Sequence, residues 1–454
     1  MASAVRKAIK RAQSARIYNA LITETFDLAE KQAENAVKNG LKPFNVVVKD
    51  CFAIEGVRMT CASRMLENYQ CPYTATTIKK LLANGGCMIG KANMDEFAMG
   101  TTSTNSYFGP VKNALSDVEK LETDWLAAGG SSGGCAVAVK LGFADIALGS
   151  DTGGSTRNPA AFHGIFGFKP SYGVLSRHGL VALANSFDCP SIFARTAQDC
   201  KLYYDMMKGR DVMDSTSMEP GTSDERDLRT LTIGIPREYH NEYLSEDSIR
   251  AWRAAAAALK NYGCTLKKVS LPHTAYSIIC YHILAESDIA SSMARYDGIE
   301  FGHRKPSEVD SFNEVISDSR TDSLLYTVRR RIFAGNFYNI KENKGKYFRQ
   351  AAKVRRLIKE DFDRVFKEQG VDALLTPVTS HSALLNSEIQ MDHFRTRQRY
   401  DDYFTQPVNM GGLPAISVPF SNCSKGRPIG LQIICDYLND DLCLRLSDLL
   451  YNLK

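Results

Sequence analysis

The chain has 454 residues, 44% hydrophobic and 24% charged, which is enough for one large core or several smaller ones. The 56 Lys and Arg residues against 51 Asp and Glu give a net charge of only +5, too little to argue for nucleic-acid binding. No apolar run approaches 18 residues, and the 12 cysteines and eight histidines form no CxxC or HxxxH pair. We therefore expect no membrane span, no metal centre and reduced thiols.

The N-terminal 23 residues carry five basic residues and no acidic one. This composition is typical of a mitochondrial targeting segment. The alternative is an amphipathic helix that stays on the protein and continues through ETFDLAEKQAENAVKNG. We favour the alternative because the pattern runs on without a break, and we predict an N-terminal helix over about residues 1–40.

Short apolar strands alternate with helical segments along the rest of the chain. We predict a helix through residues 74–86. The predicted strands are PFNVVVKD at 43–50, CMIGK at 87–91, LTIGIP at 231–236, DALLTP at 372–377, AISVP at 415–419 and PIGLQIIC at 428–435. This alternation predicts an α/β protein with helices on both sheet faces. Residues 205–227 are polar, and we predict that they form a connecting segment on the surface. Residues 275–370 are predominantly helical and are expected to cover the edge or mouth of the sheet within the same domain.

Two Gly/Ser stretches stand out, AAGGSSGGCAVAVKLG at 127–142 and GSDTGGSTRNPAA at 149–161. Each borders apolar sequence, so we place both at strand–helix turns. Glycine lets the backbone approach a ligand closely, and consecutive exposed N–H groups bind an oxyanion. Each stretch alone is also compatible with an ordinary tight turn. Two of them, both with glycine-flanked serines, favour a site.

A serine in these turns needs a base before it can act as a nucleophile. His163 lies eight residues after Ser155, but a histidine on the following helix points away as often as toward the turn. Lys49 ends the β-branched run VVVK, where a charged amine is costly, and burial shifts a lysine pKa down by about 3–5 units. Strand alternation sends Asp50 to the other face. A lysine that only extends from the strand end to solvent remains the alternative.

The motifs GGSSGG at 129–134, GSDTGGSTR at 149–157 and VKD at 48–50, with 24 residues from Ser131 to Ser155, resemble those of the amidase signature family. The resemblance extends from about residue 15 to the last helix. It implies one domain over 1–454 with the amidase signature fold, a large mixed β-sheet covered by helices on both faces.

The resemblance also implies a Ser–cis-Ser–Lys triad. Ser155 would attack a carboxamide, Ser131 on a cis peptide would relay the proton, and Lys49 would be the base. The oxyanion hole would consist of the backbone N–H groups of Thr152, Gly153, Gly154 and Ser155. Independently of the family, we expect Arg157 to hold this loop through an ion pair with Asp151.

Several stretches, among them KANMDEFAMG, GFKPSYGVLSRHGLV and FTQPVNMGGLPAISVP, resemble the glutamine-hydrolysing branch of the family in its mitochondrial form. That resemblance implies a heterotrimer with B and C subunits in the mitochondrial matrix, and little glutaminase activity from this chain alone. The ammonia would convert Glu-tRNA(Gln), held mainly by the B subunit. ATP and Mg²⁺ are expected on that partner, since this chain has no GxxxxGK[ST] motif and no cofactor of its own.

Glutamine recognition needs partners for an α-carboxylate and an α-ammonium. By local match, the residues that the family uses fall on Tyr281, Arg331 and Asp402. An arginine binds a carboxylate bidentately and an aspartate pairs with an ammonium. The neighbouring alternatives are Arg329, Arg330 and Asp401.

The chain departs from the family at Cys51, where an Asn usually follows the Lys-Asp pair, and in the reduced segment before Lys49. These departures concern the geometry of the lysine loop. Two other functions stay open at this point. One is a stand-alone small-amide hydrolase of the same superfamily. The other is a small-molecule kinase that uses GGSSGG and the following helix as a phosphate cradle.

Overall fold

A computed structural model describes residues 2–306, 311–390 and 401–454. The strands are β1 Leu21–Glu24, β2 Phe44–Lys49, β3 Gly86–Ala92, β4 Ile146–Asp151, β5 Phe166–Lys169, β6 Cys189–Ala194, β7 Thr232–Pro236, β8 Thr265–Val269, β9 Ala373–Pro377, β10 Ala415–Asn422 and β11 Pro428–Cys435. The helices are α1 Ala2–Ser14, α2 Phe26–Lys38, α3 Thr76–Ala83, α4 Gly133–Lys140, α5 Arg157–His163, α6 Ala197–Met207, α7 Glu246–Tyr262, α8 Ser277–Ser292, α9 Phe312–Ser323, α10 Tyr326–Asn339, α11 Lys341–Lys344, α12 Phe348–Asp363, α13 Asn386–Gln390, α14 Gln406–Gly411 and α15 Asp440–Asn452.

The described strands form one mixed sheet in the order β1-β3-β2-β4-β6-β5-β10-β11-β9-β7-β8. The pairs β2–β3, β2–β4, β7–β8 and β7–β9 are parallel, whereas the pairs in the centre of the sheet are antiparallel. The α/β fold with a large mixed sheet is therefore confirmed. In the described residues, no helix has the length and apolar character that crossing a membrane requires.

Both faces of the sheet are buried under helices. On β2, Val46 and Val48 pack into one hydrophobic core, while Val47 packs into a second core on the other face with residues of α1, α2 and α4. Successive side chains of a strand point to opposite faces, so this division follows from the backbone alone. A continuous β-branched run is what a strand covered on both sides requires.

The predicted single helix over residues 1–40 is wrong. The structure has α1 and α2 with a short 3-10 turn and β1 between them. The break lies at Asn19, which takes a left-handed φ of 53° and donates its side-chain amide to the carbonyls of Phe108 and Pro110. The chain then pairs antiparallel with β3, where Gly90 leaves room for the carbonyl of Thr23. Pairing of β1 with the edge of the sheet overrides the helical pattern.

The predicted helical region 275–370 is confirmed in its described part as α8, α9, α10, α11 and α12, and residues 307–310 lie outside the described residues. The surface connection predicted at 205–227 begins three residues later than expected, because α6 extends to Met207. The second Gly/Ser stretch lies at a strand–helix turn as predicted, between β4 and α5. The first also forms a turn, at residues 127–132 just before α4, but a long loop and not a strand precedes it, so the prediction is wrong for the strand on that side.

Candidate active site

Lys49 ends β2 with its amine fully buried beneath the first Gly/Ser turn. Its Nζ lies 2.7 Å from Ser131 Oγ and 2.9 Å from Ser150 Oγ. Burial lowers the pKa of Lys49, although ionisable neighbours, Cys51 first among them, act in the opposite direction. An amine with a lowered pKa beside a hydroxyl is the arrangement that a general base requires.

Ser131 follows a cis peptide bond between Gly130 and Ser131, as the family resemblance implied. Asp95 supports this turn, because its backbone N–H donates to the Ser131 carbonyl. A Cβ on Gly130 would overlap the Asp95 carboxylate, so only glycine fits there. The Asp95 carboxylate itself accepts hydrogen bonds from the backbone N–H groups of Ser103 and Asn105.

Ser155 lies in the second turn, between β4 and α5, and is partly exposed. The N–H of Ser132 donates to the Ser155 carbonyl over 3.2 Å, which joins the two Gly/Ser turns directly. Within the described residues, no hydrogen bond to the Ser155 hydroxyl is formed. The structure therefore brings Lys49 and Ser131 into contact and places Ser155 on the adjoining turn with its hydroxyl free.

The loop from Asp151 to Arg157 is built on a fully buried ion pair. Both side chains are 0% exposed, and Arg157 donates Nε and Nη2 to the Asp151 carboxylate at 3.0 and 2.9 Å. Burial raises the pKa of Asp151, but the charge and hydrogen bonds of Arg157 outweigh it, so the pKa lies well below its usual range. Arg157 also donates to Gln432 and Asn409. The predicted ion pair is confirmed.

The same carboxylate corrects the prediction for the oxyanion hole. Gly154 donates its backbone N–H to Asp151 Oδ1 over 2.8 Å, so that group is already engaged. Within the described residues, the N–H groups of Thr152, Gly153 and Ser155 make no hydrogen bond, and they stay candidates for binding an oxyanion. The Asp151 side chain reaches back over the turn, which spacing alone did not reveal.

The three residues predicted for glutamine converge beside this loop. A Cβ on Gly153 would lie 3.1 Å from the ring of Tyr281, which places that ring against the turn. Burial raises the pKa of Tyr281, and the nearby charges of Arg331 and Asp402 act on it in opposite directions. Burial, and then the neighbouring Asp401 carboxylate, raise the pKa of Asp402 to about 7, while Arg331 opposes the rise.

The neighbouring alternatives face elsewhere. Arg329 acts on the buried Glu96 carboxyl, and Arg330 is exposed. The Asp401 carboxylate accepts hydrogen bonds from the backbone N–H and the hydroxyl of Ser380. By contrast, the charge of Arg331 acts on Tyr281 and on Asp402, and Asp402 accepts one side-chain hydrogen bond, from Gln406. The geometry thus favours Arg331 and Asp402 over their neighbours.

The structure contradicts two of the alternative interpretations. His163 is buried, with Nδ1 2.9 Å from the Pro159 carbonyl and Nε2 accepting from the N–H of Ala114, so it does not serve Ser155. Burial lowers the pKa of His163 to about 4. The GGSSGG turn is no phosphate cradle, because the N–H of Gly133 donates to Ser103 Oγ and that of Gly134 to the Asn93 carbonyl.

The contact of the base with Ser150 was missed from sequence. Ser150 Oγ lies 2.9 Å from Lys49 Nζ, and Cys51 Sγ lies 4.0 Å from the same hydroxyl. The only available signal was a polar residue near the end of β4, and it has meaning only once β4 is known to lie beside β2. Cys51, where the family usually has Asn, packs next to the base without displacing it. In the parts of the chain described, no group of three potential metal ligands is present.

Comparison with known proteins agrees with this geometry. The family model described as Amidase matches residues 3–444. The A subunit of the mitochondrial glutamyl-tRNA(Gln) amidotransferase of Xenopus tropicalis is 45% identical over 92% of this chain and 84% of that protein. The corresponding protein of Homo sapiens is 44% identical over 94% of this chain and 86% of its own length.

Solved structures give the same result for the fold. The A subunit of glutamyl-tRNA(Gln) amidotransferase from Thermotoga maritima superposes with a TM-score of 0.77 at 32% identity, covering 98% of this chain and 90% of that one. A 6-aminohexanoate cyclic dimer hydrolase superposes with a TM-score of 0.83 at 22% identity, covering 99% of this chain and 92% of that one. The latter likeness concerns the fold alone.

Proposed function

The chain belongs to the amidase signature family, and we propose that it is the glutaminase component, the A subunit, of a glutamyl-tRNA(Gln) amidotransferase. The observation that carries the proposal is the buried contact of 2.7 Å between Lys49 Nζ and Ser131 Oγ beside the free hydroxyl of Ser155. The charged pocket of Tyr281, Arg331 and Asp402 supports glutamine over an uncharged amide, since it offers opposite charges to a zwitterion.

The reaction begins with the neutral amine of Lys49. It accepts the proton of the Ser131 hydroxyl, Ser131 accepts that of Ser155, and Ser155 Oγ attacks the carboxamide carbon of glutamine. The two hydroxyls come within hydrogen-bond distance as substrate binds, because catalytic contacts commonly tighten only in the complex. The free N–H groups of the Asp151–Arg157 loop stabilise the tetrahedral oxyanion.

Collapse of the tetrahedral intermediate breaks the C–N bond, and the proton relay returns a proton to the leaving nitrogen, so ammonia departs from an acyl-enzyme on Ser155. A water molecule, deprotonated through the same relay, then attacks the ester and releases glutamate. Two groups orient the substrate throughout, with Arg331 on the α-carboxylate and Asp402 on the α-ammonium. No step of this half-reaction requires a cofactor.

The ammonia serves a second active site on a partner. We propose a heterotrimer with B and C subunits in the mitochondrial matrix, where the B subunit binds Glu-tRNA(Gln), ATP and Mg²⁺ and forms Gln-tRNA(Gln). The names of the relatives support both proposals, since they are mitochondrial proteins and subunits of an amidotransferase.

The proposal is tested by co-expressing the chain with B and C subunits and assaying Gln-tRNA(Gln) formation. Ser155→Ala is expected to lower glutamine-dependent activity by more than about 10⁴-fold and to leave ammonium-dependent activity intact. Ser447→Ala on α15, a buried serine whose hydroxyl donates to the Leu444 carbonyl, is the matched control. A fluorophosphonate probe should label Ser155. If the Ser155→Ala complex still hydrolysed glutamine at the normal rate, the assignment of the nucleophile would be overturned.

A further inference from the structure

The outer face of α10 carries an apolar stripe that no described part of the chain covers. Tyr326, Arg330, Phe333 and Phe337 follow one another at intervals of three and four residues, so they lie in one line along the helix, and Ile340 completes the stripe just past the helix end. The four apolar members are 72%, 77%, 50% and 49% exposed, in chain order. From Tyr326 to Phe337 the line is about 17 Å long at 1.5 Å per residue.

The opposite face of α10 prevents the stripe from turning inward. Val328, Ile332 and Gly335 are buried there. A Cβ on Gly335 would overlap the carbonyl of Glu286 on α8, so the two helices touch at their backbones. The exposure of the stripe is therefore a fixed property of this fold.

Unpaired positive charge surrounds the stripe. Residues 326–356 include ten Lys or Arg and one Glu, in a chain whose net charge is +5. Six of these cations are exposed and form no ion pair within the described residues, namely Arg330, Lys341, Lys344, Lys346, Arg349 and Lys353. Aromatic rings lie among them, with Phe337, Tyr338 and Tyr347 in mutual contact.

We propose that this face, defined as the stripe and the six cations, docks a partner subunit that presents an apolar strip bordered by carboxylates. An aromatic centre with a charged rim is the composition of a protein interface. A second copy of the chain would set the six cations against themselves, which is repulsive. Phosphate recognition gives no reason for four exposed apolar side chains, Tyr, Phe, Phe and Ile, in the stripe. The inference rests on the proposed function, which supplies the partner subunits.

Docking at this face would act on the glutamine pocket through α10. Arg331 lies next to Arg330 in sequence but about 100° around the helix, and it faces Asp402 and Tyr281. A partner that fixes the outer face of α10 therefore fixes the position of the arginine on its inner side. We expect assembly to lower KM for glutamine.

The test compares Phe333→Asp/Phe337→Asp with Phe312→Asp, which replaces an equally exposed phenylalanine (71%) on α9. Each chain is co-expressed with the B and C subunits, and the affinity for purified partner subunits is measured with the isolated chain. We expect the double variant to weaken binding by at least about 100-fold and the control to bind normally. Lys341→Glu/Lys344→Glu should reduce the association rate and its dependence on salt. Circular dichroism verifies folding of each variant.

The outcomes separate the inference from the proposed function. Assembly of the wild-type chain together with undiminished assembly of the double variant would overturn the docking face only. Failure of the wild-type chain to bind B and C subunits would overturn both. Loss of binding to tRNA or to anionic vesicles in the double variant, with assembly of the three subunits intact, would assign the face to another partner and overturn the inference. Dimerisation of the isolated chain through these residues would do so as well.

Discussion

We predict that Asp402 makes kcat/KM for glutamine depend on pH, and that kcat/KM for a substrate without an α-amino group does not show this dependence. Its carboxyl has a pKa of about 7, raised first by burial and second by Asp401. Only the ionised carboxylate can pair with the α-ammonium of glutamine. As the pH falls through 7, the carboxyl gains a proton, the pairing is lost and kcat/KM for glutamine decreases.

The size of the effect follows from the pKa. With a pKa of about 7, about one-tenth of the free enzyme has an ionised Asp402 at pH 6 and about nine-tenths at pH 8. If only the ionised form binds productively, kcat/KM for glutamine rises about tenfold between these values. Lys49 also lowers kcat/KM at acidic pH, because its amine must lose its proton before it can act as a base. This second decrease is the same for every amide substrate.

The assay measures kcat/KM from pH 5.5 to 8.5 with glutamine and with glutaramic acid, which has the same carboxamide and a carboxylate but no ammonium. The ratio of the two values cancels the contribution of Lys49 and should rise about tenfold from pH 6 to pH 8. In Asp402→Asn the ratio should be low and independent of pH. In Asp401→Asn it should rise at lower pH, because a carboxylate that raises the pKa of Asp402 is removed.

A ratio that does not change with pH in the wild-type enzyme would refute the reasoning. So would an Asp402→Asn variant that retains the pH-dependent preference for glutamine. Either result would mean that the α-ammonium binds elsewhere and that the raised pKa of Asp402 has no bearing on the substrate.

Three further substitutions test the loop and the base. Arg157→Ala leaves the fully buried Asp151 carboxylate unpaired, so urea unfolding should show a loss of about 3–5 kcal/mol, and unchanged stability would contradict the role of the pair. Lys49→Met should preserve folding but reduce kcat for glutamine by more than about 10³-fold at every pH, and undiminished turnover would exclude Lys49 as the base. Gly153→Ala places a methyl group 3.1 Å from the Tyr281 ring and should raise KM with little effect on the melting temperature, whereas a stability loss with normal KM would count against a substrate pocket there.

The parts of the fold that follow from local pattern were predictable. Strands such as β2 and β11 are predominantly apolar runs, and the second Gly/Ser turn lies at the strand–helix junction that its composition indicates, between β4 and α5. The break between α1 and α2 was not predictable, because it depends on pairing with β3, whose partner residues lie 66 to 71 positions later. Within the site, the motif spacing located the serines and Lys49. The contact with Ser150 was missed because it arises from the adjacency of β2 and β4.

Asp151 shows why the loop is more than a set of small residues. Its carboxylate accepts the N–H groups of Gly154, Thr156 and Arg157, and its charge is balanced by the Arg157 guanidinium. These bonds curl the backbone around the carboxylate. The N–H groups that do not donate to the carboxylate remain available to donate to a ligand. A negative group within the turn would repel an oxyanion if it were unpaired, so the buried arginine is what allows one loop to hold a carboxylate and stabilise a developing negative charge. The glycines allow the curvature, and the ion pair determines which donors remain free.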